Sequence, residues 1–254
     1  MRFIGVDLGW QSGASGLCYL ALDGDSSRNS TSLVLKALDR QATVEEVLLW
    51  IDEMVPAGEP AVVAVDAPTL IPNETGMRVP DRLAHKHFGK YHAGCYPANL
   101  GRPFAARLVK FGQDLEARGF VHAPMMEPRK VGRYQVEVFP HPAMVQLFNL
   151  PRILKYKKGR LAERRVALGE LRSHILTQLP QQAPPLLITD LPAIPEKGKA
   201  LKALEDKLDS IICAYVAAHW WMWGIERNRT LGSCAEGYIV VPVPPHAPEQ
   251  LALL

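Results

Sequence analysis

Apolar residues cluster early in the run Arg2-Phe3-Ile4-Gly5-Val6-Asp7-Leu8-Gly9-Trp10, which predicts a central strand. One carboxylate, Asp7, interrupts it just before a glycine and a turn. Small residues from Gly9 to Gly16 read as that turn, and residues 17–22 and 32–38 predict two further strands, separated by a polar loop opening at Asp23-Gly24. Short loops between neighbouring strands imply an antiparallel meander. Val44, Val47, Leu48 and Ile51 then fall on one helical face, behind Thr43 and Glu46 at capping-box spacing. After Pro56, Gly58 and Pro60, Ala61-Val62-Val63-Ala64-Val65-Asp66 is an all-apolar strand of the kind buried on both faces of a sheet. The helix between makes a crossover, so this strand is expected to lie parallel to the first. It too ends in an aspartate.

Regular periodicity is lost over residues 70–102, which read as an irregular insertion broken by Pro72, Gly76, Pro80, Gly89, Gly94, Pro97 and Gly101. Arg78, Arg82, Lys90, Tyr91, Tyr96, Asn99 and Arg102 lie within it. Cations interleaved with aromatics suit a phosphate backbone carrying unstacked bases; a solvated surface loop has the same composition. Pro103 is expected at the first position of a helix with Phe104, Leu108, Phe111 and Leu115 as its buried stripe and Gly119 at its end. Residues 131–139 predict a strand with Tyr134, Val136 and Val138 on one face and Gln135, Glu137 and Phe139 on the other. Pro140-His141-Pro142 is expected to end it abruptly, leaving His141 as a plain turn residue or a phosphate contact.

The strongest basic cluster, Lys155, Lys157, Lys158, Arg160, Arg164 and Arg165, leads into a helix marked by Leu161, Leu168, Leu171, Ile175 and Leu179. A solvated helix face is the favoured reading there, with phosphate binding as the alternative. After a proline-rich connection over 180–195, a long helix is predicted over about 197–223. Asp206 and Asp209 share one of its faces, and from Ile211 onward it is apolar nearly all round, which implies burial. Two like charges on a buried face repel, and a cation between them removes the penalty. The plainer reading is an exposed face neutralised by Lys202 or Lys207. Residues 237–241 predict a last strand, and the proline-rich tail after it is read as surface.

Composition narrows the classes. A chain of 254 residues with 48% apolar residues builds one large domain or two small ones. No apolar run reaches membrane-spanning length, and Asp7 falls inside what would be the apolar core of a signal peptide. Cys18, Cys95, Cys213 and Cys234 lie too far apart for a zinc motif or a disulfide scaffold, so reduced thiols and a cytoplasmic location are expected. A net charge of +3 permits a local basic surface without announcing a nucleic-acid binder.

The candidate chemistry lies in Asp7, Asp66, Glu137, Asp206 and Asp209. Carboxylates alone, on strand ends and one helix face, suit Mg²⁺ or Mn²⁺ rather than zinc, and two such ions suit phosphodiester hydrolysis. No phosphate-binding glycine loop of the nucleotide-binding types occurs. The order of strand with Asp7, meander, helix, strand with Asp66 and late helix with Asp206-x-x-Asp209 resembles the ribonuclease H-like superfamily, especially RuvC-type Holliday-junction resolvases.

More closely, the chain resembles the domain of unknown function numbered 429, a family of predicted nucleases. The match is carried by Gly5-Val6-Asp7-Leu8, Val65-Asp66-Ala67-Pro68, Tyr96-Pro97-Ala98-Asn99, Val136-Glu137-Val138-Phe139-Pro140-His141-Pro142, Lys207-Leu208-Asp209 with Cys213-Ala214-Tyr215, and Gly237-Tyr238-Ile239-Val240-Val241. The resemblance implies an α/β fold: a mixed sheet of an antiparallel three-strand meander plus parallel strands, flanked by helices in one domain over 1–254. It also implies a metal-dependent nuclease with ligands Asp7, Asp66, Asp206 and Asp209, to which the strand pattern adds Glu137 as a fifth candidate. Arg78, Arg82, Lys90, Tyr91, Tyr96, Asn99, Arg102 and His141 are then the candidate contacts to a nucleic acid of unspecified type. RuvC-type enzymes place Glu where this chain has Asp66, and Glu137 has no counterpart in their pattern. Two rivals stand: a nucleotide-binding phosphotransferase of the actin and sugar-kinase type, and a non-catalytic nucleic-acid-binding module. The oligomeric state is open, a homodimer included.

Overall fold

The computed structural model describes residues 1–11, 13–23, 32–243 and 245. Most of the expected loop after Asp23 and nearly all of the proline-rich tail lie outside them. Strand β1 (Arg2–Asp7) pairs antiparallel with β2 (Ser15–Leu22), which pairs antiparallel with β3 (Leu33–Gln41). Helix α1 (Val44–Met54) then crosses over to β4 (Ala61–Val65), which runs parallel to β1. The Thr43 hydroxyl accepts from the Glu46 amide while the Glu46 carboxylate accepts from the Thr43 amide, so the capping box closes. Meander and crossover are therefore as the sequence predicts.

Four short elements complete the sheet and its neighbours. They are α2 (Val79–Phe88), α3 (Ala105–Ala117), β5 (Val121–His122) and β6 (Arg133–Glu137). Beyond them come α4 (Pro140–Leu147), α5 (Leu161–Thr177), β7 (Leu186–Leu187) and the long helix α6 (Gly198–Trp223). The strand order β5-β6-β4-β1-β2-β3-β7, with β4, β5 and β6 mutually parallel, is a ribonuclease H-like sheet. A hairpin, β8 (Asn228–Ser233) and β9 (Gly237–Pro242), forms a second, two-stranded sheet, bridged at Val138–Val240 to the chain just past β6.

Two cores sandwich the large sheet. Phe3, Val62, Ala64, Val136 and Val138 pack with α4, α5 and α6 on one face, while Ile4, Val6, Val63 and Val65 pack with α1 and α3 on the other. What seats α6 is glycine. A Cβ on Gly5 would lie 2.0 Å from the Ser210 carbonyl oxygen, and one on Gly16 would lie 1.9 Å from the Asp206 carbonyl oxygen. The missing side chains let the helix backbone rest directly on β1 and β2. That contact carries Asp206 and Asp209 to the end of the strand that bears Asp7.

Several local expectations are corrected. The 70–102 segment is not wholly irregular, because α2 forms within it; Asp81 accepts from the Arg78 amide and caps its first turn. Pro103 lies two residues ahead of the start of α3. Pro140 does not simply end a strand but opens α4, where a proline at the first positions is pre-organised for helix. The basic cluster is mostly not on a helix face, since Lys155, Lys157, Lys158 and Arg160 precede α5.

Candidate active site

Register brings the first two acids together. Val6 pairs with Val65, and the Asp66 amide donates to the Val6 carbonyl at 2.8 Å, so Asp7 and Asp66 sit side by side one step beyond the paired residues. Both point to the α6 face of the sheet, by the alternation that puts Gly5 and Ala64 there. Their carboxyls are close enough to influence each other's ionisation. Crowding by protein atoms, with Asp209 adding to it, raises Asp66 to about 6 against the pull of Lys157. Asp7 is pushed well up, first by burial and then by Asp209, Asp66 and Asp206, again with Lys157 opposing.

Helix α6 supplies the other two aspartates, both buried. Asp206 is paired with Arg40 Nε and Lys202 Nζ, each at 2.8 Å. Asp209 Oδ1 accepts from the Tyr156 hydroxyl at 2.6 Å, and Lys157 Nζ lies 2.8 Å from Oδ2. That ammonium is the ion-pair partner of the buried Oδ2. Burial works against the charge on Lys157, but Asp209, Asp7 and Asp66 outweigh it and raise its pKa well above the usual lysine range. Lys157 is thus the counter-ion shared by three aspartates.

Above them opens a cleft of about 400 Å³, lined among others by Asp7, Asp66, Asp206, Lys157, Lys202 and His141. Trp10 and Tyr96 form its aromatic side, with Tyr96 59% exposed. Trp10 is fixed by donating from Nε1 to the Asp66 carbonyl at 3.1 Å and by contact with Phe104, with ring centroids 4.9 Å apart.

Comparison with known proteins adds the following. The family model described as "Protein of unknown function (DUF429)" matches residues 5–230. The chain belongs to this family. Among solved structures, a Thermus thermophilus RuvC structure is similar at 13% identity, with 85% of this chain and 96% of that chain covered and a TM-score of 0.36. T. thermophilus RuvC in complex with Holliday junction substrate gives the same identity and coverage with a TM-score of 0.34. No match is found among curated proteins. Likenesses this distant carry no argument about the site, so the fold rests on the strand order.

In this DUF429 chain the fifth expected ligand stands elsewhere. Glu137 is in register with Val65 and Val6, so it points to the face opposite Asp7 and Asp66. Both its oxygens accept from Arg78, at 2.6 and 2.7 Å, and Arg78 also donates to Asp81 at 2.8 Å. Burial raises Glu137 to about 7 against that pairing. Glu137 and Arg78, expected at a metal and on substrate respectively, instead tie the insertion to β6.

Of the other expected contacts, Tyr96 and His141 line the cleft. Asn99 is buried and donates to the Gly76 carbonyl, bracing the insertion. Arg82 donates to the Met77 carbonyl, Lys90 stands over the Tyr91 ring, and Arg102 stands over the Tyr96 ring. Sequence reasoning missed Arg40, Tyr156, Lys157 and Trp10 as site residues. Only Lys157 left a trace, as one member of the basic cluster.

The donor set has the chemistry a hard cation takes: aspartate oxygens, with Asp7 and Asp66 side by side and Asp209 Oδ2 buried against the Lys157 ammonium. The arrangement does not yet close. Among the described residues no three acidic, histidine or cysteine side chains converge tightly enough to enclose an ion. Enclosure by Asp7, Asp66 and Asp209 requires the Lys157 ammonium to yield its place.

Proposed function

We propose that this chain is a nuclease hydrolysing phosphodiester bonds with Mg²⁺ or Mn²⁺, held by Asp7, Asp66 and Asp209 with Asp206 beside them. The whole chain is taken as one domain. The observation carrying the reading is the Asp7–Asp66 pair, two buried carboxyls set side by side by strand register at the carboxyl ends of adjacent parallel strands. Such an arrangement is costly while both are ionised and becomes favourable with a cation between them. Strand ends of an open sheet are where ligands bind in α/β folds.

Divalent ions there supply Lewis acidity at the scissile phosphate and charge for the attacking and leaving oxygens. The chain's own groups do the rest. Asp7 and Asp66 hold the reaction centre on rigid strands, and Asp209 is fixed by the Tyr156 hydroxyl. Lys157 and Lys202 line the cleft where they attract an anionic substrate. His141, pushed down to about 4 by burial and by Lys157, is neutral at physiological pH and adds no charge.

The test is a screen of purified protein against single-stranded, duplex, hybrid and branched nucleic acids with Mn²⁺ or Mg²⁺. Cleavage that disappears in Asp7→Asn, with the fold intact, supports the proposal. Metal-dependent cleavage at an unchanged rate in that variant removes Asp7 from the mechanism, and stabilisation by ATP without cleavage favours the phosphotransferase rival.

A further inference from the structure

The acid cleft continues into a second cavity. This trough of about 320 Å³ shares His141 and Lys157 with the cleft and is otherwise lined by Ile153, Leu154, Lys155 and Lys158. A third cavity, of about 500 Å³, continues along the same loop past Lys155 to Arg152, and Glu170 is its one acidic lining residue. We propose that this chain of cavities is the binding path of a single-stranded nucleic acid whose far end lies over the acid cleft. The inference rests on the nuclease reading only for the chemistry at that end.

Four observations carry it. Lys155, Lys158 and Arg152 are exposed and form no ion pair with any described acid, so their charge is available to a ligand. The His141 Nδ1 atom is buried at the junction of cleft and trough without a hydrogen-bond partner. The Ile153 and Leu154 side chains are partly buried and give the trough an apolar floor, which suits sugars and bases better than acidic side chains. The loop is pre-formed: the Ile153 amide donates to the Tyr91 carbonyl, Arg164 holds the Tyr156 carbonyl at 2.9 Å, and Tyr156 anchors to Asp209. A pre-ordered path lowers the ordering cost of binding.

Size and the far wall select the single strand. Trough and cleft are both near the lower end of the usual ligand-pocket range of about 300–1,000 Å³, room for nucleotide units rather than a double helix. Across the cleft, the exposed Tyr96 ring, with the Arg102 guanidinium 5.2 Å from its centroid, joins a cation to a stacking surface that only an unpaired base can use.

The experiment measures binding without divalent ions, so that cleavage plays no part. Fluorescence anisotropy is recorded with labelled single-stranded DNA and RNA, blunt duplex DNA, and a polyglutamate peptide of matched charge. Single strands of either sugar should bind most tightly. The slope of log affinity against log salt should shrink by about 1.4 in the double variant Lys155→Gln/Lys158→Gln, since each phosphate contact on a single strand contributes about 0.7. Tyr96→Ala should weaken single-strand binding by roughly tenfold and leave duplex binding alone. An unchanged salt slope in a folded double variant, or equal binding of duplex or polyglutamate, overturns the proposal. A protein that binds this way yet never cleaves keeps the strand path and loses the nuclease reading. One that cleaves through Asp7 with an unaltered slope does the reverse.

Discussion

Asp7→Asn should stabilise the metal-free protein at neutral and alkaline pH. In the wild type Asp7 and Asp66 sit side by side at adjacent strand ends, and both carboxyl pKa values are raised, first by burial. A carboxyl whose folded pKa is raised favours the native state in acid, where it is protonated. That advantage is lost as pH rises through the folded value. For Asp66 the window runs from the ordinary aspartate value of 3.8 to about 6. A shift of roughly two pH units corresponds to about 3 kcal/mol against folding once the group is ionised. Replacing Asp7 with the isosteric amide removes the cost of ionising that buried carboxyl beside Asp209, Asp66 and Asp206, and supplies a donor to Asp66. About 1–3 kcal/mol should be regained, a rise in thermal midpoint of about 2–4 °C per kcal/mol for a chain of this size. Thermal unfolding of both proteins in chelator at pH 4 and pH 8 measures it. The gain should be present at pH 8 and vanish at pH 4, where both carboxyls hold protons. A variant less stable than wild type at pH 8 would refute the reasoning, because Asp7 would then serve chiefly as a stabilising partner of Lys157.

Three further outcomes follow from the same geometry. Lys157→Met should destabilise the metal-free protein by about 2 kcal/mol, less than for a fully buried pair because a third of the lysine side chain meets solvent; saturating Mn²⁺ in a thermal-shift assay should restore the loss. Arg78→Met strands Glu137 and Asp81 in the interior, and chemical denaturation should register about 3–5 kcal/mol at pH 8. The deficit should be smaller below pH 7, where Glu137 takes up a proton. Gly5→Ala places a methyl 2.0 Å from the Ser210 carbonyl and must push α6 away, so denaturant titration should show a loss of about 3 kcal/mol or more with weakened Mn²⁺ binding.

Much of this architecture is legible in the chain because its signals are local. The apolar strand ending in Asp66, the Thr43–Glu46 box and the all-round apolar stretch from Ile211 each declare an element without help from distant residues. Helix α2 was obscured by the glycines and prolines around it, since its cap is an aspartate that also serves the Arg78 pair. The role of Glu137 turns on strand register, which alternates faces with each residue: a carboxylate one step from Val138 cannot join acids that Val138 faces. Lys157 and Tyr156 reach Asp209 across more than fifty positions of chain, and nothing in the local composition distinguishes them from the solvated lysines beside them.

Titration calorimetry of Mn²⁺ into the wild-type protein, Asp7→Asn and Asp209→Asn probes the acid cluster most directly. Saturable binding by the wild type, with affinity lost in both variants, is the predicted result. Absence of binding by the wild type, or unchanged affinity in Asp7→Asn, would contradict the assignment of these aspartates to a cation.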